Sequence, residues 1–190
     1  MIKFRRRDID AEELLRRYAA GERDFSGVDL STNSAIRLNL ENADLRGINL
    51  SGADLYLANL IGANLSGANL CGACLSYAVL IGAKLSNADL RGAILKNVNL
   101  SNADLSYANL GNVNLAGATL TNANLLQADL SRTNLAYTNL GGAINVDILY
   151  IDEALLWDTI LPDWRVEVGS RCSRSVSRFD NMQCLVNRWL

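Results

Sequence analysis

The chain has 190 residues, a single Pro, no His and a formal net charge of −2. That balance predicts neither nucleic-acid affinity nor a strongly acidic surface. No apolar run approaches the ~20 residues needed to cross a membrane, and four Cys do not make a disulfide scaffold.

The first residues, Met1 to Arg7, are basic but lack the apolar segment of a secretory signal, so a cytoplasmic location is expected. Residues 8 to 21 read as a helix. Asp10 is the N-cap and Glu13, three later, completes a capping-box arrangement. Ile9 and Leu14 are spaced as a hydrophobic staple across it, and Leu14, Leu15 and Tyr18 share one apolar stripe. Arg16 and Arg17 suit the helix C-terminus, and Gly21 follows as the stop.

From Phe25 the chain repeats. Residues 23 to 37 are a degraded start: Val28-Asp29-Leu30 fits the unit, but Asn33-Ser34-Ala35 puts Ala at a core centre, so a looser, bulged beginning is expected. From Leu40 to Leu140 all 21 positions spaced by five are Leu. Ala stands two before the Leu in 15 of these units and Asp or Asn one before it in 16, so the unit is Ala-(Asp/Asn)-Leu-x-x and internal repeats govern the fold.

On a helix, five residues advance a side chain by about 140°, which defines no face. On a strand, an odd spacing sends successive Leu to opposite sides. The chain must therefore turn once per unit. The second residue after Leu is Gly or Asn in 15 of the 21 units, the types that accept the positive φ at the third position of a type II turn. Leu65-Ser66-Gly67-Ala68 is such a turn. Between turns, extended Ala-Asn-Leu pieces point Ala and Leu inward and Asp/Asn outward.

These tandem units, covering about two-thirds of the chain, resemble the pentapeptide-repeat family, and some features suggest a cyanobacterial member. The resemblance implies an all-β fold: a right-handed quadrilateral β-helix with 20 residues per coil, which the period alone does not fix. The 24 units from Phe25 to Leu140 then make about six coils, a rod roughly 29 Å long at the usual strand spacing. The expected division is an N-terminal helical cap over 1–22, the β-helix over 23–147 and a partly helical C-terminal cap over 148–190. Repeat arrays need such caps because open coil ends expose core and backbone edges. A partner-binding role is the alternative for the first helix.

With 20 residues per coil, Leu57, Ile61, Tyr77, Val79 and Ile81 fall together on one face and its leading corner, at outward positions. A contiguous apolar patch of this kind marks contact sites. It is read as a docking surface for a protein partner or a second copy, against drift on a tolerant surface. Asp29, Asp89 and Asp129 are expected on one further face and Asp24, Asp44 and Asp104 on the next. Family members that inhibit DNA gyrase present a long acidic surface resembling duplex DNA. Here Arg46, Lys84 and Arg91 dilute the charge, whereas mimicry needs a dense negative field.

Cys71-Gly72-Ala73-Cys74 has C-x-x-C spacing. The repeat sets both thiols outward beside a turn, without the helix N-terminus or second ligand pair that redox or zinc chemistry needs. After Gly142 the repeat fades, and Asn145 stands where Leu belongs. Residues 152 to 157 read as a short helical turn or a distorted unit. Thr159 to Asp163 resembles the family's closing unit, one residue out of register. Trp157 and Trp164 are candidates to lid the open end, and residues 165 to 168 alternate as an edge strand.

Residues 169 to 178, rich in Ser and Arg, read as a linker. The last segment reads as a helix: Asp180 and Gln183 form a capping-box pattern, Phe179 and Cys184 a staple, and Met182, Leu185, Val186 and Trp189 one apolar stripe. It either folds back over the final coil or makes a homodimer through the C-terminal segment. A Cys172–Cys184 bridge is disfavoured in a reducing cytosol. There is no nucleophile elbow, P-loop or metal-spaced cluster, and the Asp residues are spread over a convex surface. The expectation is a non-enzymatic protein-binding scaffold without cofactor, metal, nucleic-acid or membrane partner. The alternatives are a DNA-mimicking gyrase inhibitor and a structural spacer.

Overall fold

The computed structural model describes residues 9–26, 28, 38–146 and 153–167. The helix α1 spans Ala11–Ala19, shorter than the sequence pattern by a turn. Asp10 caps it: its Oδ1 accepts the Glu13 N–H at 2.8 Å. The reciprocal half of the capping box does not form, because the Glu13 carboxylate instead accepts two hydrogen bonds from Arg16. Leu14 is fully buried, with Ile9, Leu15 and Tyr18 packed partly buried against the same core. The Tyr18 hydroxyl donates to the Arg46 carbonyl at 2.9 Å, and the Arg23 guanidinium lies over the Tyr18 ring. The helix is thereby fastened to the first coil.

Beyond α1 the chain winds as a four-sided coil. Single parallel bridges link residues 20 apart, as in Asn64 to Lys84 to Asp104 to Asn124. Four such columns run along the molecule, one on each of the sides carrying Leu40, Leu45, Leu50 and Leu55. Each side is only three residues long between corners, so the pairing appears as ladders of bridges rather than long strands. All 21 Leu from 40 to 140 are buried, and Ala fills most of the small inward positions. Each such Leu stabilises the fold by about 1.5–3 kcal/mol.

The unit 64–68 shows why the repeat reads as it does. The Asn64 N–H reaches back one coil to the Ala43 carbonyl at 2.9 Å, and the Leu65 N–H forward to Lys84 at 2.7 Å. The Gly67 N–H bonds to Ser86 and the Ala68 N–H closes the turn on Leu65. One donor remains, on Ser66, and the Asn64 Oδ1 accepts it at 3.2 Å. Every backbone N–H in the unit is thus satisfied, as a packed backbone demands. The outward Asp or Asn supplies the one acceptor that the neighbouring coils do not, an Asx-type turn. The second corner residue has positive φ in all 21 turns, between 52° and 72°.

Both ends depart from the 20-residue register. Asp24 pairs with Asn49, 25 residues on, and the Asp54 N–H bonds to Val28. One extra pentapeptide therefore lies between Val28 and Leu38, so the strict 20-residue count from Phe25 does not hold. Phe25, buried at the centre of this first coil, falls on the Leu50 side. At the other end the register lengthens by one: Leu155 stacks on Asn134 and Ile160 on Asn139. Leu156 and Leu161 point inward, so the segment from residue 153 is a distorted repeat rather than a helical turn.

The coil closes in a hairpin. Strands β1 (Thr159–Ile160) and β2 (Val166–Glu167) pair antiparallel, which covers the last open edge of the Leu40 side. The side chains that seal the interior are Leu156 and Leu161. Trp157 and Trp164 do not lid it: they are 39% and 59% exposed. The Trp164 ring lies outside, flat on the corner, where a Cβ on Gly141 would come within 2.3 Å of it. Late in the coil, Thr133, Thr138 and Thr159 replace inward Ala and are buried; each hydroxyl donates to a Leu carbonyl of the preceding coil at 2.7–3.0 Å. Asp29, Cys172, Cys184 and the C-terminal helix pattern fall outside the described residues.

Candidate functional site: an apolar half-face

The outward Asp or Asn is a structural residue first. All 16 such residues between 39 and 139 accept the N–H two positions on, at 2.9–3.5 Å. Five units carry another residue there: Cys74, Val79, Lys84, Ile94 and Thr119. Three of the five, Cys74, Val79 and Lys84, fall within one turn of the coil, and Ile94 stacks on Cys74 in the next. That coil has given up most of its corner caps, and it carries the apolar residues singled out in the sequence.

The structure brings those residues together. Val79 bridges Asn59 on the Leu40 side. The Leu57 N–H bonds to the Ser76 carbonyl, and the Gly62 N–H to the Ile81 carbonyl, so Ile61 and Ile81 occupy the same corner in adjacent coils. Tyr77 is 50% exposed, while Leu57, Ile61, Val79 and Ile81 are half-buried. The sequence reading missed Tyr56, 44% exposed and edge-on to Tyr77 with ring centroids 5.8 Å apart. It occupies the first corner position, where the repeat is variable, so no break in the pattern marks it.

Leu57 and Tyr77 hold φ near 61°. A left-handed backbone costs a non-Gly residue about 1 kcal/mol or more. Tyr107, Gln127, Arg132 and Tyr137 hold the same conformation at other corners, with φ between 52° and 60°. Charges flank the patch. Glu41 lies one coil toward α1 and Lys96 one coil toward the C-terminus, while Asp54 and Lys84 lie on the two adjoining sides. Neither Lys has an ion pair among the described residues.

The acidic residues are placed differently from the sequence expectation. Asp24 heads the Leu50-side column with Asp89 and Asp129, and does not join Asp44 and Asp104; the extra pentapeptide shifts it by one side. Asn separates the carboxylates of the Leu50-side column, and Asn64 and Lys84 separate Asp44 from Asp104. The Arg46 guanidinium holds Asp44 below the usual carboxylate range, and a hydrogen bond from Ser26 does the same for Asp24. Arg91 bonds Asp89 at 2.7 Å and lowers it to about 2. Burial, then the Asp89 carboxylate, pushes the Cys71 thiol up, the opposite of an activated thiolate. Among the described residues no cluster of His, Cys, Asp and Glu could hold a metal ion, and no helix is long and apolar enough to cross a membrane.

A four-sided coil built from five-residue turns defines a repeat scaffold. The sequence profile of pentapeptide repeats matches residues 39–76, 73–110 and 108–144, more than half of the chain, and the protein belongs to that family. No curated protein matches the chain. Among solved structures it is similar to HetL, a protein involved in heterocyst differentiation regulation in the cyanobacterium Nostoc sp. strain PCC 7120. The identity is 27%, over 84% of this chain and 100% of that one, with a TM-score of 0.43. It is also similar to Rfr23 from the cyanobacterium Cyanothece 51142, at 30% identity over 67% of this chain and 97% of that one, TM-score 0.37. QnrB1, a plasmid-mediated fluoroquinolone resistance protein, matches at 16% identity over 87% and 82%, TM-score 0.39.

Proposed function

We propose that the protein is a non-enzymatic, cytoplasmic interaction scaffold. In this reading a right-handed quadrilateral β-helix, capped by α1 at one end and by the segment after residue 147 at the other, presents a flat apolar half-face to a protein partner. The observation that carries it is the contiguity of Tyr56, Leu57, Ile61, Tyr77, Val79 and Ile81 across two adjacent coils. Large apolar side chains at outward positions of a repeat that elsewhere mostly places polar or small residues there contribute nothing to the buried core, so a contact made by these side chains explains them.

The test is capture of partners on immobilised protein, followed by purification of the captured protein and titration against wild type and Val79→Asp/Ile81→Asp. The expected result is a loss of affinity of at least about tenfold, since central interface residues carry 2 kcal/mol or more, with an unchanged melt. Equal affinity for both proteins removes this surface from the function. The DNA-mimic reading has less support: Asn and Lys84 separate the carboxylates along each column, and Asp44 and Asp89 are paired with Arg.

A further inference from the structure

A second apolar surface lies at the C-terminal end, separate from the half-face. After Cys74 and Ile94 the Leu55-side column carries Asn114 and Asn134; in its last member it becomes Leu155. The adjoining corner changes from Ala116 and Ala136 to Trp157. Tyr137 joins them, its N–H bonded to the Trp157 carbonyl at 2.7 Å. Tyr137 is 62% exposed, Trp157 39% and Leu155 37%; Val166, on the strand alongside, is 53% exposed. Together they form a ridge over the end of two adjoining sides.

We propose that the ridge is the seat of this chain's own residues 179–190, whose stripe of Phe179, Met182, Leu185, Val186 and Trp189 needs an apolar partner. The exit point of the chain argues for it. The last described residue, Glu167, lies opposite Thr159, two residues from Trp157. The eleven residues 168–178 span up to ~35 Å when extended, whereas a twelve-residue helix is about 18 Å long. The tether is long enough to lay the stripe along the ridge and short enough to hold it near a millimolar effective concentration. A segment from a second copy competes poorly against that.

Hydrogen exchange on the full chain, at two protein concentrations, tests this. In wild type the backbone amides of 181–190 are expected to exchange at least about tenfold slower than an unstructured peptide, equally at both concentrations. Tyr137→Asn, Leu155→Asn and Trp157→Ser install residue types already found at equivalent outward positions. The triple variant should return the tail to unprotected rates and leave amides 40–140 unchanged. If the triple variant loosens the coil, Leu155→Asn alone should still shorten the protection. A tail unprotected in wild type, protection that survives both variants, or protection that rises with concentration alongside a dimer overturns the proposal.

Discussion

The Leu40 side has two halves built on one backbone. Leu60 and Leu80 line the first, Leu100 and Leu120 the second, and all four are fully buried. The corner φ is 61° at both Leu57 and Tyr77, 55° at Asn97 and 72° at Gly117. Outside, the first half carries Leu57, Asn59, Ile61, Tyr77, Val79 and Ile81; the second carries Asn97, Asn99, Ser101, Gly117, Thr119 and Thr121. The same geometry holds under either surface. Folding is therefore encoded in the inward residues and the corner chemistry, and the outward residues are free to be spent on recognition.

The most damaging change strikes what the halves share. Leu85→Asp buries an unpaired carboxylate at the centre of the coil and should cost several kcal/mol; circular dichroism should register loss of the cooperative melt. Retention of the wild-type Tm would mean that the Leu side chains are not inside. Next is Val79→Asp/Ile81→Asp, expected to abolish partner binding while shifting Tm by less than about 3 °C.

Val79→Asn sharpens the comparison by making the first half more like the second. The new side chain can cap the Ile81 N–H as Asn99 caps Ser101, so stability should rise by about 0.5–1 kcal/mol as binding weakens. A fall in Tm would mean that the cap is not what Asp and Asn contribute. The smallest effect is electrostatic. Asp89→Asn keeps an acceptor for the Arg91 N–H but ends the ion pair. The folded carboxyl titrates near 2, below its unfolded value of about 3.9. Its stabilisation is thus present above pH ~4 and lost as pH falls toward 2. The pair is exposed, so the Asn variant should melt within about 3 °C of wild type at pH 7 and show a slightly flatter acid limb. An identical acid limb would mean that the pair contributes nothing.

The period of five made the coil legible, because no helix or strand buries it. The apolar patch was legible because Leu57 and Tyr77 stand where Gly or Asn is usual. The four-sided count came from family resemblance, since a five-residue turn closes on any number of sides until coils stack. The corner-capping role of Asp and Asn was not legible: it depends on which N–H groups the neighbouring coils leave over. The place of Asp24 was missed because an inserted unit preserves the pattern while moving it one side round. Trp164 was missed as an outside residue because size suggested a lid, whereas the bare corner at Gly141 offered the ring a flat seat.

The most direct measurement is the thermal unfolding of one surface transplant: Leu57→Asn, Ile61→Ser, Tyr77→Gly, Val79→Thr and Ile81→Thr, each residue taken from the position 40 residues on, in the second half. Separately encoded folding and recognition predict a Tm equal to or above that of wild type, with partner binding gone. A Tm lowered by ten degrees or more, roughly 3 kcal/mol at this size, would mean that these side chains hold the coil together and were never free for a partner.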